Sequence, residues 1–235
     1  MEITLHSLKS GAENARGTVV IVDVFRAFTV APILLHLGVR EIRLVASPAE
    51  GLALKSSDPE LILVGEVDGV PIDGFDFGNS PTEIIRKNKS FFLDKRAAQR
   101  TSAGVQGALI ALDHADEVLA ASFVTASATA ARIRRMAPER VSIVAMGKNM
   151  EKQAPEDESC ARCIAALLRE DEYDHFRAVR KILLDPAIGR FTDGTRPYLP
   201  AEDPALCLQL NLFPFVVKVE KDDGGVFARK ERMES

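Results

Sequence analysis

Short apolar runs recur along the chain at residues 18–22 (T-V-V-I-V), 42–45 (I-R-L-V), 61–64 (L-I-L-V) and 141–145 (V-S-I-V-A). Between them lie Ala- and Leu-rich stretches near 28–38, 48–56, 103–115, 126–137 and 156–170 that read as helices. The runs are short, bounded by turn residues and largely β-branched, as strands covered on both faces would be. Their alternation with helices predicts a three-layer α/β/α fold around a largely parallel or mixed sheet. Phe91–Leu93 and Val118–Ser122 are weaker strand candidates that fit between helices. Beyond about residue 185 the composition shifts to Gly, Pro and Asp. The segments L-N-L-F-P-F-V-V-K-V-E, K-D-D-G-G and V-F-A-R-K then read as a C-terminal antiparallel hairpin that edges or caps the main sheet. The charged end, Arg229–Ser235, is expected to fray.

With 235 residues, 46% of them hydrophobic, the chain can bury a sizeable core. That length suits a single α/β domain over 1–235, or two similar lobes of about 1–115 and 116–235. A faint internal echo favours the second arrangement: Asp23-Val-Phe-Arg26-Ala27-Phe28 and Ser122-Phe-Val-Thr125-Ala126-Ser127 each follow a strand and open a helix. The net charge of −4 comes without a basic block or interleaved basic and aromatic residues, which argues against a nucleic-acid partner. M-E-I-T-L-H-S-L lacks a leader pattern, and no apolar run approaches the roughly 20 residues of a membrane span. A cytoplasmic protein without membrane contact is expected, and three cysteines, an odd number, fit free thiols in a reducing compartment. The partner expected is a small anionic phosphorylated substrate, with a homodimer as the one protein assembly in view.

The chemistry concentrates where strands end. Residues 61–81, L-I-L-V-G-E-V-D-G-V-P-I-D-G-F-D-F-G-N-S-P, run from a buried strand through acids and glycines to a helix start at Asn79-Ser80-Pro81. Ligands of open α/β sheets bind at the carboxyl edge, which is where Glu66 would sit. Pro81 suits the first helical position, Ser80 or Asn79 can cap it, and the remaining amides would face an anion. Thr101-Ser102-Ala103-Gly104-Val105-Gln106-Gly107 is a second helix start of the same kind, or an ordinary Ser/Thr cap with glycine packing. Asp23, directly after a buried strand, needs a partner or a metal. It is either an Asp–Arg pair or cap with Arg26, or a ligand of a divalent cation beside an arginine that forks onto an oxyanion. Glu66, Asp73, Asp76 and the acidic run Glu156-Asp157-Glu158 add oxygens, although acids in a first helical turn also simply answer the helix dipole. Carboxylates from several strand ends, without clustered His or Cys, suit Mg2+ better than zinc.

Other motifs carry less. Cys160-Ala-Arg-Cys163 and the C-x5-R match from Cys163 to Arg169 fall inside a helical run, where neither a redox turn nor a phosphate-wrapping loop can form. G-x-G-x-x-G and G-x-S-x-G are absent, and the four histidines are scattered.

Taken together, V-I-V-D-V-F-R-A-F-T, V-G-E followed by G-F-D-F-G-N-S-P, T-S-A-G-V-Q-G, S-F-V-T-A-S-A and P-E-D-E-S-C-A resemble the 2-phosphosulfolactate phosphatase (ComB-type) family over roughly residues 15–170. The resemblance implies an α/β, Mg2+-dependent phosphoric monoester hydrolase that releases sulfolactate and phosphate from 2-phospho-3-sulfolactate, a step towards coenzyme M. Matching by motif, it implies catalytic roles for Asp23, Arg26, Glu66 and Asp157, and metal ligands among Asp23, Glu66, Asp76, Glu156 and Asp157. It implies substrate contacts from Arg26, Asn79, Ser80, Thr101, Ser102, Gly104, Ser122 and Thr125. The chain departs from the family pattern at Thr125, where many relatives have Asn, and in T-S-A-G-V-Q. It also departs from about Leu183 onward, where Arg190 and Arg196 offer further anion contacts.

Overall fold

The computed structural model describes residues 1–232. Its first half runs β1 (Glu2–Ser7), α1 (Leu8–Asn14), β2 (Thr18–Val22), α2 (Ala27–Leu37), β3 (Ile42–Leu44), α3 (Pro48–Ser57), β4 (Ile62–Val67), β5 (Val70–Pro71), α4 (Pro81–Ile85), β6 (Ala97–Arg100) and α5 (Gly104–Ala111). The second half adds β7 (Glu117–Ala121), α6 (Ala126–Met136), β8 (Arg140–Ala145), α7 (Pro155–Arg169), α8 (His175–Leu183), α9 (Gly189–Thr192), α10 (Asp203–Cys207), β9 (Phe215–Asp222) and β10 (Gly225–Arg232). All ten strands join one mixed sheet in the order β1-β8-β2-β7-β9-β10-β3-β6-β4-β5. The predicted three-layer architecture holds. One apolar cluster packs α1, α2 and α5 on one face, and a second packs α6 and α7 on the other.

Local chemistry explains the elements that position the cleft. Every residue of β2 is buried, so a strand in the middle of a parallel block suits it. Helices α3 and α4 both begin Ser-Pro: Ser47 and Ser80 accept from the amides of Glu50 and Glu83, and proline takes the first helical position. Gly38, at φ 110, closes α2 in the left-handed conformation.

The C-terminal hairpin forms as the sequence predicts, but at the centre of the sheet and not at its edge. Strands β1, β8, β2 and β7 make one parallel block and β3, β6 and β4 another, and β9–β10 joins them through antiparallel pairings with β7 and β3. The reason is visible in F-V-V-K-V. Phe215, Val217 and Val219 enter one apolar cluster while Val216 enters the other, so β9 must be covered on both faces. The two blocks do not divide at residue 115, since β1 and β2 pair with β7 and β8. Arg229–Arg232 complete β10, and residues 233–235 of the segment expected to fray lie outside the described residues.

Two strand expectations shift. Lys89–Phe91 form a 3-10 turn, with Phe91 and Phe92 stacked around Phe77, and the strand follows at Ala97–Arg100. The sequence A-A-Q-R carries little strand propensity and is recruited by pairing with β3 and β4. Strand β1 was not anticipated either.

The inserted hairpin reverses the ladder sense between the blocks, which alone would aim their carboxyl ends apart. Twist of about 20–25° per strand accumulates over the ladder steps from β2 to β6 to on the order of 100°, and brings those ends back towards one cleft. No described helix is long and apolar enough to cross a membrane.

A chain ending before Phe215 lacks the strands that join the blocks, and it should show no cooperative thermal transition by circular dichroism. The milder Val217→Ala should lower stability by about 1–3 kcal/mol in urea unfolding, the cost of a small cavity under the central strand.

Candidate active site

One cleft, with a volume of about 650 Å³, gathers the ends of β2, β4, β6 and β8 and the first turn of α7. Asp23, Glu66, Glu156 and Asp157 all line it and all are buried. Three of these carboxylates are fixed by backbone amides from other segments. Asp23 Oδ1 accepts from Ala27 N at 3.1 Å and Oδ2 from Gly104 N at 2.8 Å. Asp157 Oδ1 accepts from Val24 N at 2.7 Å and Oδ2 from Gly147 N at 2.8 Å. Glu66 Oε1 accepts from Ser102 N at 2.6 Å, and Oε2 from Gly69 N at 2.6 Å and Ser102 Oγ at 3.0 Å. Two glycines are needed for this closeness: a Cβ at Gly65 would lie 2.2 Å from the Arg100 carbonyl oxygen, and one at Gly104 would lie 2.7 Å from Asp23 Oδ2.

The electrostatics of the cleft are unfavourable to its own charges. Burial pushes the Asp23 carboxyl up to about 6; its two amide bonds and Arg26 oppose that, and Glu66 adds to it. Burial pushes Glu156 up to about 7, against the pull of Arg190 and with repulsion from Asp23. Asp157 rises well above the usual carboxylate range, first through burial and then through Asp23 and Glu156. Such a set of crowded acids is held in a strained charge state that a cation would relieve.

Arg26 is buried at the same cleft, but its partner is Asp203 and not Asp23. Its Nη1 donates to Asp203 Oδ2 at 2.7 Å and to the Tyr198 carbonyl at 3.1 Å. Asp203, fully buried at the start of α10, also accepts from Ser80 Oγ at 2.9 Å and Thr82 N at 3.0 Å. The helix start at Asn79-Ser80-Pro81 therefore does face an anion, and the anion is a side chain of the protein. The start of α5 is similar: the amides of Ser102, Gly104 and Val105 go to Glu66, Asp23 and the Thr101 hydroxyl.

Of the residues singled out in the sequence, Asp23, Arg26, Glu66, Asn79, Ser102, Glu156 and Asp157 line the cleft, and Gly104 adjoins it through Asp23. Ser80 and Thr101 act as helix caps and do not line it. Asp76 is drawn away to Lys55 Nζ at 2.9 Å and Leu63 N at 2.8 Å, and it lines a separate shallow cavity. Ser122 and Thr125 are fully buried: the Ser122 hydroxyl donates to the Phe28 carbonyl at 2.8 Å and accepts from Thr29 Oγ1, and Thr125 bonds back to Ser122. The echo with residues 23–28 is real in place, since β2 and β7 are parallel neighbours, but the second turn faces α2 and not the cleft. Cys160, Cys163 and Cys207 are buried free thiols.

Sequence reasoning missed Asp203, Lys148 and Lys152. Both lysines line the cleft. The lysines had a readable signal, because Gly147-Lys148 comes one residue after the buried strand β8. Asp203 had none, its partners being more than 100 residues away in sequence. Arg190 and Arg196 do line the cleft, where the sequence offered them as extra anion contacts.

Among the described residues no three of the His, Cys, Asp and Glu side chains stand ready as a complete metal cage. Magnesium does not require one, because it keeps several waters and is usually bound by one or two carboxylates together with substrate phosphate. Crowded hard oxygens with raised proton affinity fit that ion; soft or imidazole ligands are missing from the cleft lining.

Fold and cleft thus define an α/β/α protein with an acidic, arginine-flanked pocket. Residues 4–187 match the family profile of 2-phosphosulpholactate phosphatase. A probable 2-phosphosulfolactate phosphatase of Bacillus subtilis is 32% identical over 206 residues, covering 86% of this chain and 87% of the relative. Proteins of the same description from Carboxydothermus hydrogenoformans and Thermoplasma volcanium are 28% and 27% identical, and cover 94% and 90% of their own lengths. The chain belongs to the 2-phosphosulfolactate phosphatase family.

Raised carboxylates bind protons more tightly in the folded than in the unfolded state. Their stabilising share is full below about pH 4 and is lost as pH rises through about 6 to 7. Chelator-treated protein should accordingly lose about 1–3 kcal/mol between pH 5 and 7.5 in urea melts, and Asp23→Asn should flatten that slope. Gly104→Ala should cost about 1–3 kcal/mol through its clash with Asp23, measured the same way.

Proposed function

We propose that the chain is a magnesium-dependent phosphatase that hydrolyses 2-phospho-3-sulfolactate to 3-sulfolactate and phosphate. As a member of its family it is a phosphoric monoester hydrolase. The observation that carries the metal-dependent reading is the pair Asp23 and Asp157. Both are buried in one cleft, each is oriented by two backbone amides, and Asp23 adds to the burial that raises the proton affinity of Asp157.

On this reading Asp23 and Asp157, with Glu66 alongside, would hold Mg2+ and leave Glu156 outside the ligand set. When bound, the ion neutralises phosphoryl oxygens and makes water a better nucleophile at neutral pH. Arg26, anchored through Nη1, keeps its other nitrogens for a phosphoryl oxygen, which suits the charge spread over the equatorial oxygens in phosphoryl transfer. Asn79, beside it, is a neutral donor for the same group. Glu156 is the lining carboxylate without a hydrogen bond to another residue, so it is free to take a proton from the attacking water. Segment 185–199 closes the far side of the cleft through Phe191, Tyr198 and Leu199. A cytoplasmic site of action and a step of coenzyme M type belong to the same proposal.

The decisive assay is phosphate release from 2-phospho-3-sulfolactate with and without EDTA. Turnover should vanish with chelator and return with Mg2+, and Asp23→Asn should lower kcat by about a thousandfold or more, since both ion placement and the Gly104 contact are lost. Chelator-insensitive turnover would falsify the metal role. Thermal stabilisation by the ester without any turnover would identify a binding protein instead.

A further inference from the structure

We propose that Arg190 is the specificity residue of this cleft, holding the acid group of the substrate that is not transferred, a sulfonate or a carboxylate. The inference rests on the phosphatase reading above, and it concerns a residue beyond the part of the chain that matches the family profile, which ends at residue 187.

The cleft is lined by five cations, Arg26, Lys148, Lys152, Arg190 and Arg196. Arg26 is tied to Asp203, and Arg196 is paired with Asp193 at 3.1 Å. Lys148 and Lys152 are exposed on the rim. Arg190 is different: it is largely shielded from solvent, makes no salt bridge or hydrogen bond to any described residue, and has an enclosed Nε with no partner. It lies against the ring of Phe191, whose centroid is 4.9 Å from its guanidinium carbon, and Glu156 acts on its charge without a salt bridge. An enclosed guanidinium nitrogen without an acceptor is costly, and whereas Arg43, Arg100 and Arg132, which also have one, are paired or bonded through their other nitrogens, Arg190 is not, which leaves a ligand to complete it.

The placement selects which group it completes. Phe191 is buried, stacks edge-on against Phe25 at 5.5 Å, and also has the Arg26 guanidinium 5.9 Å from its centroid. One ring therefore sets two guanidinium groups at one small ligand. Arg26 belongs to the turn that carries Asp23, so it serves the group beside the carboxylates. Arg190 comes from α9, outside that turn, where Glu156 is the carboxylate that acts most on its charge. A phosphate ester of a small hydroxy acid has its second anion only a few bonds from the phosphate, and a planar fork is the geometry that binds a sulfonate or carboxylate. Burial disfavours the charge of Arg190, a loss that an incoming anion reverses.

The test compares wild type, Arg190→Ala and Arg190→Lys on three esters: 2-phospho-3-sulfolactate, 2-phospholactate, which lacks the sulfonate, and glycerol 2-phosphate, which lacks both acid groups. Arg190→Ala should lower kcat/KM on the sulfolactate ester roughly 10- to 100-fold, chiefly through KM, and leave glycerol 2-phosphate within about twofold. Arg190→Lys should recover part of the loss. An undiminished penalty on 2-phospholactate assigns the carboxylate to Arg190, and a vanished one assigns the sulfonate. Equal losses on all three esters, or none, overturn the proposal. Thermal shifts with 3-sulfolactate and with inorganic phosphate decide it independently of turnover. The alanine variant should lose stabilisation by 3-sulfolactate and keep that by phosphate, and unchanged stabilisation by 3-sulfolactate overturns the proposal. If wild type hydrolyses none of the esters, the phosphatase reading fails while the thermal shifts still judge Arg190.

Discussion

Four carboxyl groups crowded into one buried cleft are the constraint on which the rest of this structure depends. Each would be less costly in water: burial first, and repulsion from neighbouring acids second, raise the proton affinity of Asp23, Glu156 and Asp157. What keeps Asp23, Glu66 and Asp157 there is chiefly backbone and not side-chain counter-charge. Amides of Val24, Ala27, Ser102, Gly104 and Gly147, from the turns after the three strands β2, β6 and β8, point at these oxygens. A rigid sheet fixes the turns, the turns fix the amides, and the amides fix the carboxylates, so positional accuracy comes from the fold and not from flexible ion pairs.

That dependence explains why the hairpin matters far from where it lies. Strands β9 and β10 contribute nothing to the cleft lining, yet they set how many twisted steps separate the Asp23 turn from the Gly104 turn. Removing a pair of strands from the middle of such a sheet would change the angle between the blocks by about 40–50°, and the hydrogen bond between Gly104 and Asp23 could not survive that rotation. The central position of the hairpin is thus a requirement of the site as much as of the core.

Much of this was legible in the sequence, for an identifiable reason. Asp23, Glu66 and Asp157 stand next to buried strands or open a helix, where local pattern alone predicts a carboxyl-edge position. The helix starts at Ser80 and Gly104 were equally plain. Their occupants were not: the anions they hold are Asp203 and Asp23, and such pairings are set by tertiary packing. The same limit applies to the hairpin, whose two strands were visible while their neighbours in the sheet were not. Ser122 and Thr125 show the opposite failure. Their turn copies the local pattern of residues 23–28, but a parallel neighbour one strand over meets helix α2, and similar sequence there serves packing.

The use of helix amides by the protein itself bears on how a polyanion can be recognised here. An amide already bonded to a fixed carboxylate cannot also serve as a strong donor to a ligand, so the starts of α4 and α5 contribute structure and not binding. On the proposed reading, recognition passes to donors that remain open, namely the Asn79 side chain, the outer nitrogens of Arg26, the guanidinium of Arg190 and the rim lysines. Open donors of that kind carry full charge and lie on side chains whose spacing can differ between relatives. A backbone cradle would fix phosphate binding and little else, whereas a set of separated cations can sense how many acid groups a small ester carries and how far apart they are. On the proposed reading the division follows from the fold: the carboxyl ends of the strands supply the acidic half of the site, and the segment beyond residue 187 brings Arg190 and Arg196 to the other half.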